Sequence, residues 1–285
     1  MTAKRGATAA DTIEANRFVH AYLANSGAYQ ESPHFNCENQ LVVRGVIERV
    51  SSRLPPSPRS KAIDFGCGTG FMISLMAGLF DEIHGVDITP DMMKHVDLSP
   101  GNVTLHECVA EATPFAAEQF DFATAYSFMD HLLDYRAFLR EAHRVLKPGG
   151  ILYADLNPNR AFIVAMESAQ KASIGELPPL VGKEVFGALH NGAHYEAAFG
   201  LSADMLERAE PIKTNDKGFD AHEVIDAAKS IGFAGCDVEF VWFLGQAKVL
   251  HGPSPAHVEV IDSYLRSVLP VSAALYKYLR FVFVK

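Results

Sequence analysis

The feature that most constrains this 285-residue chain is a short apolar run that leads into alternating glycines, at residues 61–71. Residues 62–65 have the length and composition expected of a buried parallel strand. The glycines that follow are Gly66, Gly68 and Gly70. Glycine permits positive φ and lets the backbone approach a ligand without a Cβ in the way. The pattern therefore predicts a turn at the carboxyl end of a strand, followed by a helix over the apolar residues 72–80, where open α/β sheets bind nucleotide-sized ligands.

The residues around this turn restrict the kind of nucleotide. A dinucleotide fingerprint of the form G-x-G-x-x-G requires a small residue at position 71, where this chain has Phe71. Asp64, near the end of the strand, would repel a phosphate but suits an ammonium or hydroxyl groups. These residues favour a cationic nucleoside over a pyrophosphate.

A second strand is predicted at residues 82–87, ending in Asp87. This carboxylate lies within the interval of about 20 residues at which a ribose-binding acid is expected. Thr89 as N-cap and Pro90 at the first helical position then predict the start of the next helix.

Three further segments continue the pattern in order. Residues 102–107 alternate as a third strand and lead into A-E-A-T-P-F at 110–115; residues 120–127 form a fourth apolar strand; and residues 144–150 read R-V-L-K-P-G-G before a fifth. With the glycine turn, these segments resemble the class I methyltransferases that use S-adenosylmethionine, whose first motif reads acidic-x-G-x-G-x-G. The resemblance implies an α/β fold: a doubly wound, mostly parallel seven-stranded sheet with an antiparallel last strand. The sixth strand is predicted at 236–243 and the seventh, antiparallel strand at 278–284.

The resemblance also implies site roles. Asp64 and the glycine turn would hold the amino-acid end of the cofactor, Asp87 the ribose hydroxyls, and Ile88 with Met92 the adenine faces. The predicted cofactor-binding residues are Asp64, Gly66, Cys67, Gly68, Gly70, Asp87, Ile88, Met92, Ala110, Glu111, Tyr126 and Ser127.

Val109 departs from the family pattern, because it stands where an aspartate usually accepts from the adenine amino group. Either the backbone of Val109 and Ala110 does that work, or Glu111 does. Val109 can equally be a strand-end residue that packs on adenine.

Composition limits the remaining function classes. With 48% hydrophobic residues the chain can bury the core of one α/β domain with additions, and a net charge of −9 disfavours a nucleic-acid substrate. Four cysteines without a C-x-x-C spacing and no apolar run of membrane-spanning length indicate a cytoplasmic protein that does not enter a membrane. We predict a helical cap at 1–57, a cofactor-binding core at 58–156, a lid insertion at 157–216, and the rest of the core at 217–285 with an inserted helix at 255–269.

Two amphipathic helices, at 11–25 and 40–52, precede the sheet. In the resembled family such helices often close over the cofactor and help form the acceptor pocket; alternatively they only cover the sheet edge. Tyr22, Tyr29 and Phe35 are candidate substrate contacts, and an aromatic side chain there would also suit a sulfonium cation.

After the fourth strand, Phe128, Asp130 and His131 stand where the resembled family often carries a histidine pair. His131 could remove a proton from an acceptor, with Asp130 in place of the other histidine, and Phe128 is a candidate substrate contact. The alternative is a structural histidine that caps the next helix.

The predicted lid contains a possible H-x-x-x-H pair, His190 and His194. Gly192 between them disfavours a helix, and two histidines without a third ligand make a poor zinc site, so we predict no metal. His194 and Tyr195 are instead candidate acceptor contacts.

The sequence thus predicts methyl transfer from S-adenosylmethionine to an O or N atom of a small molecule, mainly by proximity in a closed pocket. Two alternatives remain open. The same fold could direct intramolecular attack within the cofactor (a cyclisation or lyase reaction) with release of methylthioadenosine, or it could bind the cofactor without catalysis. A homodimer is possible, and the inserted helix at 255–269 could support it.

Overall fold

The computed structural model describes residues 8–26, 33–173, 175–189, 196, 200, 202–247 and 256–285. Its centre is a seven-stranded sheet in the order β3-β2-β1-β4-β5-β7-β6. The strands are β1 (Lys61–Phe65), β2 (Glu82–Asp87), β3 (Val103–Glu107), β4 (Phe120–Tyr126), β5 (Leu146–Pro158), β6 (Gly235–Phe243) and β7 (Tyr276–Val284). β1 to β5 pair in parallel, and β7 runs antiparallel to both β5 and β6. The predicted fold class is confirmed.

Helices cover both faces of the sheet, so its central strands are buried on both sides. In β1, Ile63 and Phe65 belong to one buried apolar cluster and Ala62 to the other, as the two-residue period of a strand requires. The helices are α1 (Ala9–Ser26), α2 (Cys37–Ser51), α3 (Phe71–Met76), α4 (Pro90–Met93), α5 (Tyr135–Val145), α6 (Arg160–Ala172), α7 (Pro179–Ala188), α8 (Ala203–Ala209), α9 (Pro211–Asn215), α10 (Ala221–Ile231) and α11 (His257–Ser267).

Local capping explains where several of these helices begin. Asp134 accepts from the backbone N–H of Arg136 at the start of α5, and Asp220 accepts from two backbone N–H groups at the start of α10. Gly232 ends α10 in the left-handed conformation, with φ 118°. These side chains satisfy backbone donors that have no partner inside the helix.

Two element boundaries differ from the sequence prediction. The helix after the glycine turn ends at Met76 rather than reaching residue 80, because Gly78 adopts a positive φ of 74° and reverses the chain. The helix predicted at residues 40–52 begins earlier, at Cys37, directly after a short 3₁₀ helix at Pro33–Phe35. Asn36 causes this early start, since its side chain accepts from the backbone N–H of Asn39.

The segment predicted as an irregular lid contains helices in its described part. α7 packs on α6 through a small apolar cluster that includes Phe162, Met166 and Val185. α8 packs on α1 through Ala15, Val19, Leu206 and Ala209. The first part of the segment therefore supports α6, and the second part supports α1.

The inserted helix appears as α11 and has no fully buried residue. Val260 and Tyr264 are each about two thirds exposed, one helical turn apart. Arg266 attaches the helix to the sheet by donating to the backbone carbonyl of Phe240. The predicted homodimer stays a prediction.

Within the described residues, no helix combines the length and the apolar character that crossing a membrane requires.

Candidate active site

A cavity of about 460 Å³ opens at the carboxyl edge of the sheet, where β1, β2 and β4 end. This is within the usual size range of small-molecule pockets, and it lies at the edge where open α/β sheets bind ligands. α1 lies across its mouth and supplies one wall. Its lining includes Thr12, Asn16, His20, Phe35, Asp64, Gly66, Cys67, Gly68, Phe71, Asp87, Ile88, Met92, Val109, Ala110, Glu111, Tyr126, Ser127, Phe128, His131 and Glu210.

The glycine turn forms the floor of this cavity. Gly66, Gly68 and Gly70 have φ values of 69°, 50° and 89°, which side chains with a Cβ rarely adopt. The N–H groups of Gly66 and Cys67 donate to the carbonyl of Val86 at the end of β2. At Gly66 a Cβ would also come within 2.2 Å of the Phe128 ring. The turn is therefore held in place by β2 and covered by Phe128. Gly70 is the N-cap of α3 and does not line the cavity.

Asp64 is a buried carboxylate at the cavity wall. The Thr124 hydroxyl on β4 donates to its Oδ1 at 2.7 Å. Burial raises the pKa of Asp64 to about 7; the Thr124 bond opposes this rise and the Asp87 charge adds to it. A carboxylate kept from water in this way gains much from a cation placed beside it.

Asp87 ends the neighbouring strand β2 and lies opposite the turn. Its Oδ2 accepts from the N–H of Gly68 at 2.9 Å, and its Oδ1 accepts from the N–H of Thr89 at 2.7 Å. Burial raises its pKa, and these two backbone bonds counteract the rise. The bonds orient the carboxylate at the cavity while leaving lone pairs for further donors.

Three aromatic rings meet beside Asp64. The centroid of Phe71 lies 5.0 Å from those of Phe35 and Tyr126, and Phe35 and Tyr126 are 6.0 Å apart. The Tyr126 hydroxyl accepts from Asn39 and donates to the carbonyl of His34, which fixes its ring. Sequence reasoning proposed Phe35 and Tyr126 for the pocket but gave Phe71 no role beyond excluding a pyrophosphate.

His131 lies across the cavity from this wall. Its Nδ1 is 3.1 Å from the carbonyl of Ala209, so the neutral ring carries its proton on Nδ1 and leaves Nε2 as an acceptor. The ring packs edge-on against His20, with centroids 4.7 Å apart.

Asp130, the other predicted catalytic residue, lies outside the cavity lining. It is 6% exposed, and its Oδ1 is 4.0 Å from Nε2 of His131 without a hydrogen-bond partner among the described residues. Burial raises its pKa, and the neighbouring His131 opposes that rise. The short 3₁₀ helix Met129–His131 explains the difference, since it turns adjacent side chains in different directions. Asp130 can therefore act only through His131.

Of the other predicted substrate contacts, some line the cavity and some do not. Phe35 and Phe128 line the cavity, whereas Tyr22 does not and is 40% exposed. Tyr22 lies on a different face of α1 from the residues that line the pocket. Tyr29, His194 and Tyr195 lie outside the described residues.

Comparison with known proteins adds to this geometry. Residues 63–154 match the family described as "Methyltransferase domain". A ubiquinone biosynthesis O-methyltransferase from Xanthomonas axonopodis pv. citri is 33% identical over 131 residues, covering 44% of this chain and 54% of the relative. An O-methyltransferase from Penicillium expansum is 29% identical over 200 residues, covering 67% of this chain and 70% of the relative.

Residues 63–154 therefore carry a methyltransferase domain of the class I type. The matched domain runs from β1 into β5 and contains the glycine turn together with Asp64 and Asp87. Within this family the chain spans about half the length of the ubiquinone biosynthesis enzymes that it matches.

The fold of this chain also occurs in a protein described as the [4+2]-cyclase SpnF. The two structures superpose with a TM-score of 0.55 at 15% identity, covering 94% of each chain. At this identity the likeness concerns the fold alone, because one fold supports different reactions.

Further residues of the cavity lining belong to the predicted cofactor wall. Ile88, Met92, Ala110 and Glu111 all line the cavity, as does Ser127 after β4. Burial raises the pKa of Glu111, and nearby Asp134 adds to this. Val109 lines the cavity too, so the structure retains both of its alternatives, a backbone acceptor and an apolar contact.

Sequence reasoning missed the polar residues that α1 and the α8–α9 junction bring to the cavity: Thr12, Asn16, His20 and Glu210. The first three stand four residues apart along α1 and therefore share one face. That spacing is visible in the sequence, although the apolar residues of α1 by themselves do not indicate that this face meets a cavity.

Among the described residues, no group of three or more His, Cys, Asp or Glu side chains could hold a metal ion.

Proposed function

We propose that this chain is an enzyme that transfers a methyl group from S-adenosylmethionine to an O or N atom of a small-molecule acceptor. The observation that carries the proposal is the pairing of Asp64 and Asp87 on either side of the glycine turn, in one cavity that continues under α1. The relatives named as O-methyltransferases support oxygen as the acceptor atom.

The residues present fit the charge of this cofactor. Asp64 has one hydrogen bond from Thr124, is buried, and has a pKa raised to about 7, so an ammonium group would relieve the cost of its ionisation. Asp87 has lone pairs available for ribose hydroxyls, and Ile88 with Met92 offers apolar contacts for adenine. No arginine or lysine occurs among the described lining residues, which disfavours a phosphate-bearing nucleotide.

When bound, the cofactor supplies a methyl group on a positively charged sulfur, so its leaving group needs little assistance. The contribution of the chain is to hold the acceptor in line and to exclude water. The rings of Phe35, Phe71 and Tyr126 favour a positive charge next to them. α1, which packs on α8, supplies part of the cavity wall.

His131 is proposed as the residue that takes a proton from the acceptor. Its Nδ1–H donates to the Ala209 carbonyl, so Nε2 is the atom that accepts the proton. Asp130 is a positioning residue, because its carboxylate 4.0 Å from Nε2 would stabilise the imidazolium that forms. A histidine with only a structural role would leave the pH profile of turnover unchanged when replaced by Asn.

The proposed function is tested in two steps. Calorimetric titration of the wild-type protein with S-adenosylmethionine should show one binding event, and Asp87→Asn should weaken it at least tenfold because the ribose hydroxyls lose a charged acceptor. Exposed Asp226→Asn on α10 is the matched control and should bind normally.

The second step identifies the nucleoside product by chromatography, with and without a panel of hydroxylated and amino acceptors. Acceptor-dependent S-adenosylhomocysteine supports methyl transfer. Methylthioadenosine formed without an acceptor would contradict it in favour of intramolecular attack, and binding without any product would favour a non-catalytic role.

A further inference from the structure

The polar stripe of α1, which we define as Thr12, Asn16 and His20, has features that the cofactor site does not explain. All three residues line the cavity and lie on one face of α1. Thr12 and Asn16 are only 3% and 5% exposed. Both belong to a helix that packs against α8 across nearly two hundred residues of sequence.

Two polar atoms of this stripe have no hydrogen-bond partner among the described residues: Thr12 Oγ1 and Asn16 Oδ1. A buried polar atom without a partner costs about 1–3 kcal/mol, so such atoms are rare and require an explanation. Here both atoms belong to residues that line the same cavity.

The orientation of the Asn16 amide follows from its donors. Its Nδ2 donates to the carbonyl of Thr12 at 3.0 Å and to the carbonyl of His131 at 3.2 Å. Because both of these carbonyls are acceptors, the NH₂ group of Asn16 must face them, and Oδ1 faces the opposite direction. An available acceptor oxygen beside the Thr12 hydroxyl matches a ligand O–H that donates to Asn16 while it accepts from Thr12.

The charges around the cavity exclude an anionic occupant. Its described lining residues carry four carboxylates, Asp64, Asp87, Glu111 and Glu210, without a lysine or arginine. The charge of Glu210 is compensated by Lys213, whose Nζ lies 3.1 Å from Oε2 and which does not itself line the cavity. A carboxylate or phosphate on the acceptor would find no lysine or arginine among the described lining residues, and its desolvation would be costly.

We propose that the polar stripe of α1 is an acceptor-binding site for an uncharged molecule with an apolar body, held through a hydroxyl group distinct from the one that is methylated. This inference rests on the proposed methyl transfer and specifies its substrate class. The rings of Phe35 and Phe128 and the side chains of Ile13 and Leu132 accommodate the apolar body. The hydroxyl fills the two hydrogen-bonding positions that the protein leaves open at Thr12 and Asn16.

The test compares three probes on the protein saturated with S-adenosylhomocysteine: 2,3-dihydroxynaphthalene, 2-naphthol and 3,7-dihydroxy-2-naphthoate. Binding is measured by calorimetry. We expect the diol to bind about fivefold or more tightly than 2-naphthol, the worth of one to two hydrogen bonds between uncharged groups. The carboxylate should bind more weakly than either.

Thr12→Val keeps the shape of Thr12 and removes its hydroxyl, so it should reduce the preference for the diol to about twofold or less, while Thr12→Ser restores it. Glu14→Gln, on the exposed face of α1, is the matched control and should behave as wild type. Thermal unfolding of each variant shows whether it folds, and Asn16→Ala provides a second variant if Thr12→Val does not.

Equal binding of diol and 2-naphthol, binding of no probe, or tightest binding of the carboxylate would each overturn this inference. None of these outcomes affects the proposed function, which stands or falls with S-adenosylmethionine binding and acceptor-dependent S-adenosylhomocysteine. Conversely, a protein that binds no cofactor but discriminates the naphthols would retain the site and lose the reaction.

Discussion

Asp64 shows how the fold changes the chemistry of one residue. On β1 it is 1% exposed, and burial raises its pKa to about 7 from an ordinary value near 4. Near neutral pH the empty site is therefore divided between the protonated and ionised carboxyl. A cationic ligand favours the ionised form, so binding and proton release are linked.

The first prediction concerns the pH dependence of cofactor binding. Because the ionised Asp64 attracts only the protonated ammonium, affinity for S-adenosylmethionine should rise severalfold from pH 6 to about pH 7.5 and fall again above about pH 8, where the α-amino group of the ligand loses its proton. Calorimetry at these pH values, in buffers of different ionisation enthalpy, should also detect the released proton. An affinity that is flat with pH, or equally pH-dependent in Asp64→Asn, would contradict this origin.

The second prediction concerns stability. Since the folded-state pKa of Asp64 is raised, its favourable contribution is present below about pH 4 and is lost as pH rises through 7. Asp64→Asn should therefore stabilise the cofactor-free protein at pH 8, by about 1–3 kcal/mol. Denaturant unfolding at pH 8 and pH 4 measures the gain, which should nearly vanish at the lower pH. A variant that is less stable than wild type at pH 8 would show that burial of the ionised carboxylate does not destabilise the fold.

At the scale of elements, α1 joins the two halves of the cavity. Its inner face carries the polar stripe, and its packing on α8 involves Ala15, Val19 and Leu206. At the sheet edge Arg17 connects it to the cofactor side: Nε donates to the carbonyl of Ile88 at 2.8 Å, and Nη2 reaches Glu107. One helix therefore contacts both predicted ligand-binding regions.

The third prediction follows from Arg17. Arg17→Ala removes the bond to the carbonyl next to Asp87, so α1 should close less firmly and cofactor affinity should fall about three- to tenfold. Because the side chain is half exposed, stability should change by less than about 1 kcal/mol. The matched control is Arg49→Ala, in an exposed ion pair with Glu239 away from the cavity. A loss of stability without a loss of affinity would mean that Arg17 supports only the fold.

A second element, the turn at Pro33–Phe35, positions an aromatic ring of the site. His34 packs edge-on against Trp242 and Tyr278, with centroids 4.4 and 5.3 Å away. Its carbonyl accepts from Asn39 and from Tyr126. The neighbouring Phe35 is thereby held at the cavity wall, although it lies far from the sheet in sequence.

At the scale of the whole molecule, partly buried histidines with lowered pKa values connect the site to acid stability. Burial lowers the pKa of His20 to about 3 and that of His34 to about 4. For His20 the neighbouring His131 adds to the effect, and for His34 the neighbouring Lys277 does. These groups bind a proton in the unfolded chain near pH 6.5 but not in the folded protein.

The fourth prediction is the sign and size of that effect. Because both folded-state pKa values are depressed, their contribution is present above pH 6.5 and is lost as pH falls toward 4. Between pH 7 and pH 5 each histidine should cost about 2 kcal/mol. His34→Phe, which preserves a ring, should therefore become more stable relative to wild type by about that amount over this range.

Denaturant unfolding of both proteins at pH 7 and pH 5 makes the comparison, and the opposite contribution of Asp64 cancels because both proteins contain it. His222→Gln, on the exposed surface of α10, serves as control. A difference between wild type and His34→Phe that does not change with pH would show that His34 is not buried in its neutral form.

The sequence by itself determined the elements whose signals are local. Apolar runs of strand length, glycines at alternate positions and the acids at Asp64 and Asp87 predict β1, the turn and β2. The rule that parallel strands end at one edge then places both carboxylates in one site. Capping residues such as Asp220 likewise indicate helix starts without reference to the rest of the chain.

Only the tertiary structure decided which face of α1 meets the cavity, that Asp130 lies behind His131, and that Tyr22 points elsewhere. The physical reason is that the surroundings of a side chain depend on contacts between distant segments. α1 is oriented by Val19 against Leu206, a pair separated by nearly the whole core. The same packing isolates Thr12 and Asn16 from water, and this burial turns two ordinary polar residues into a candidate binding site.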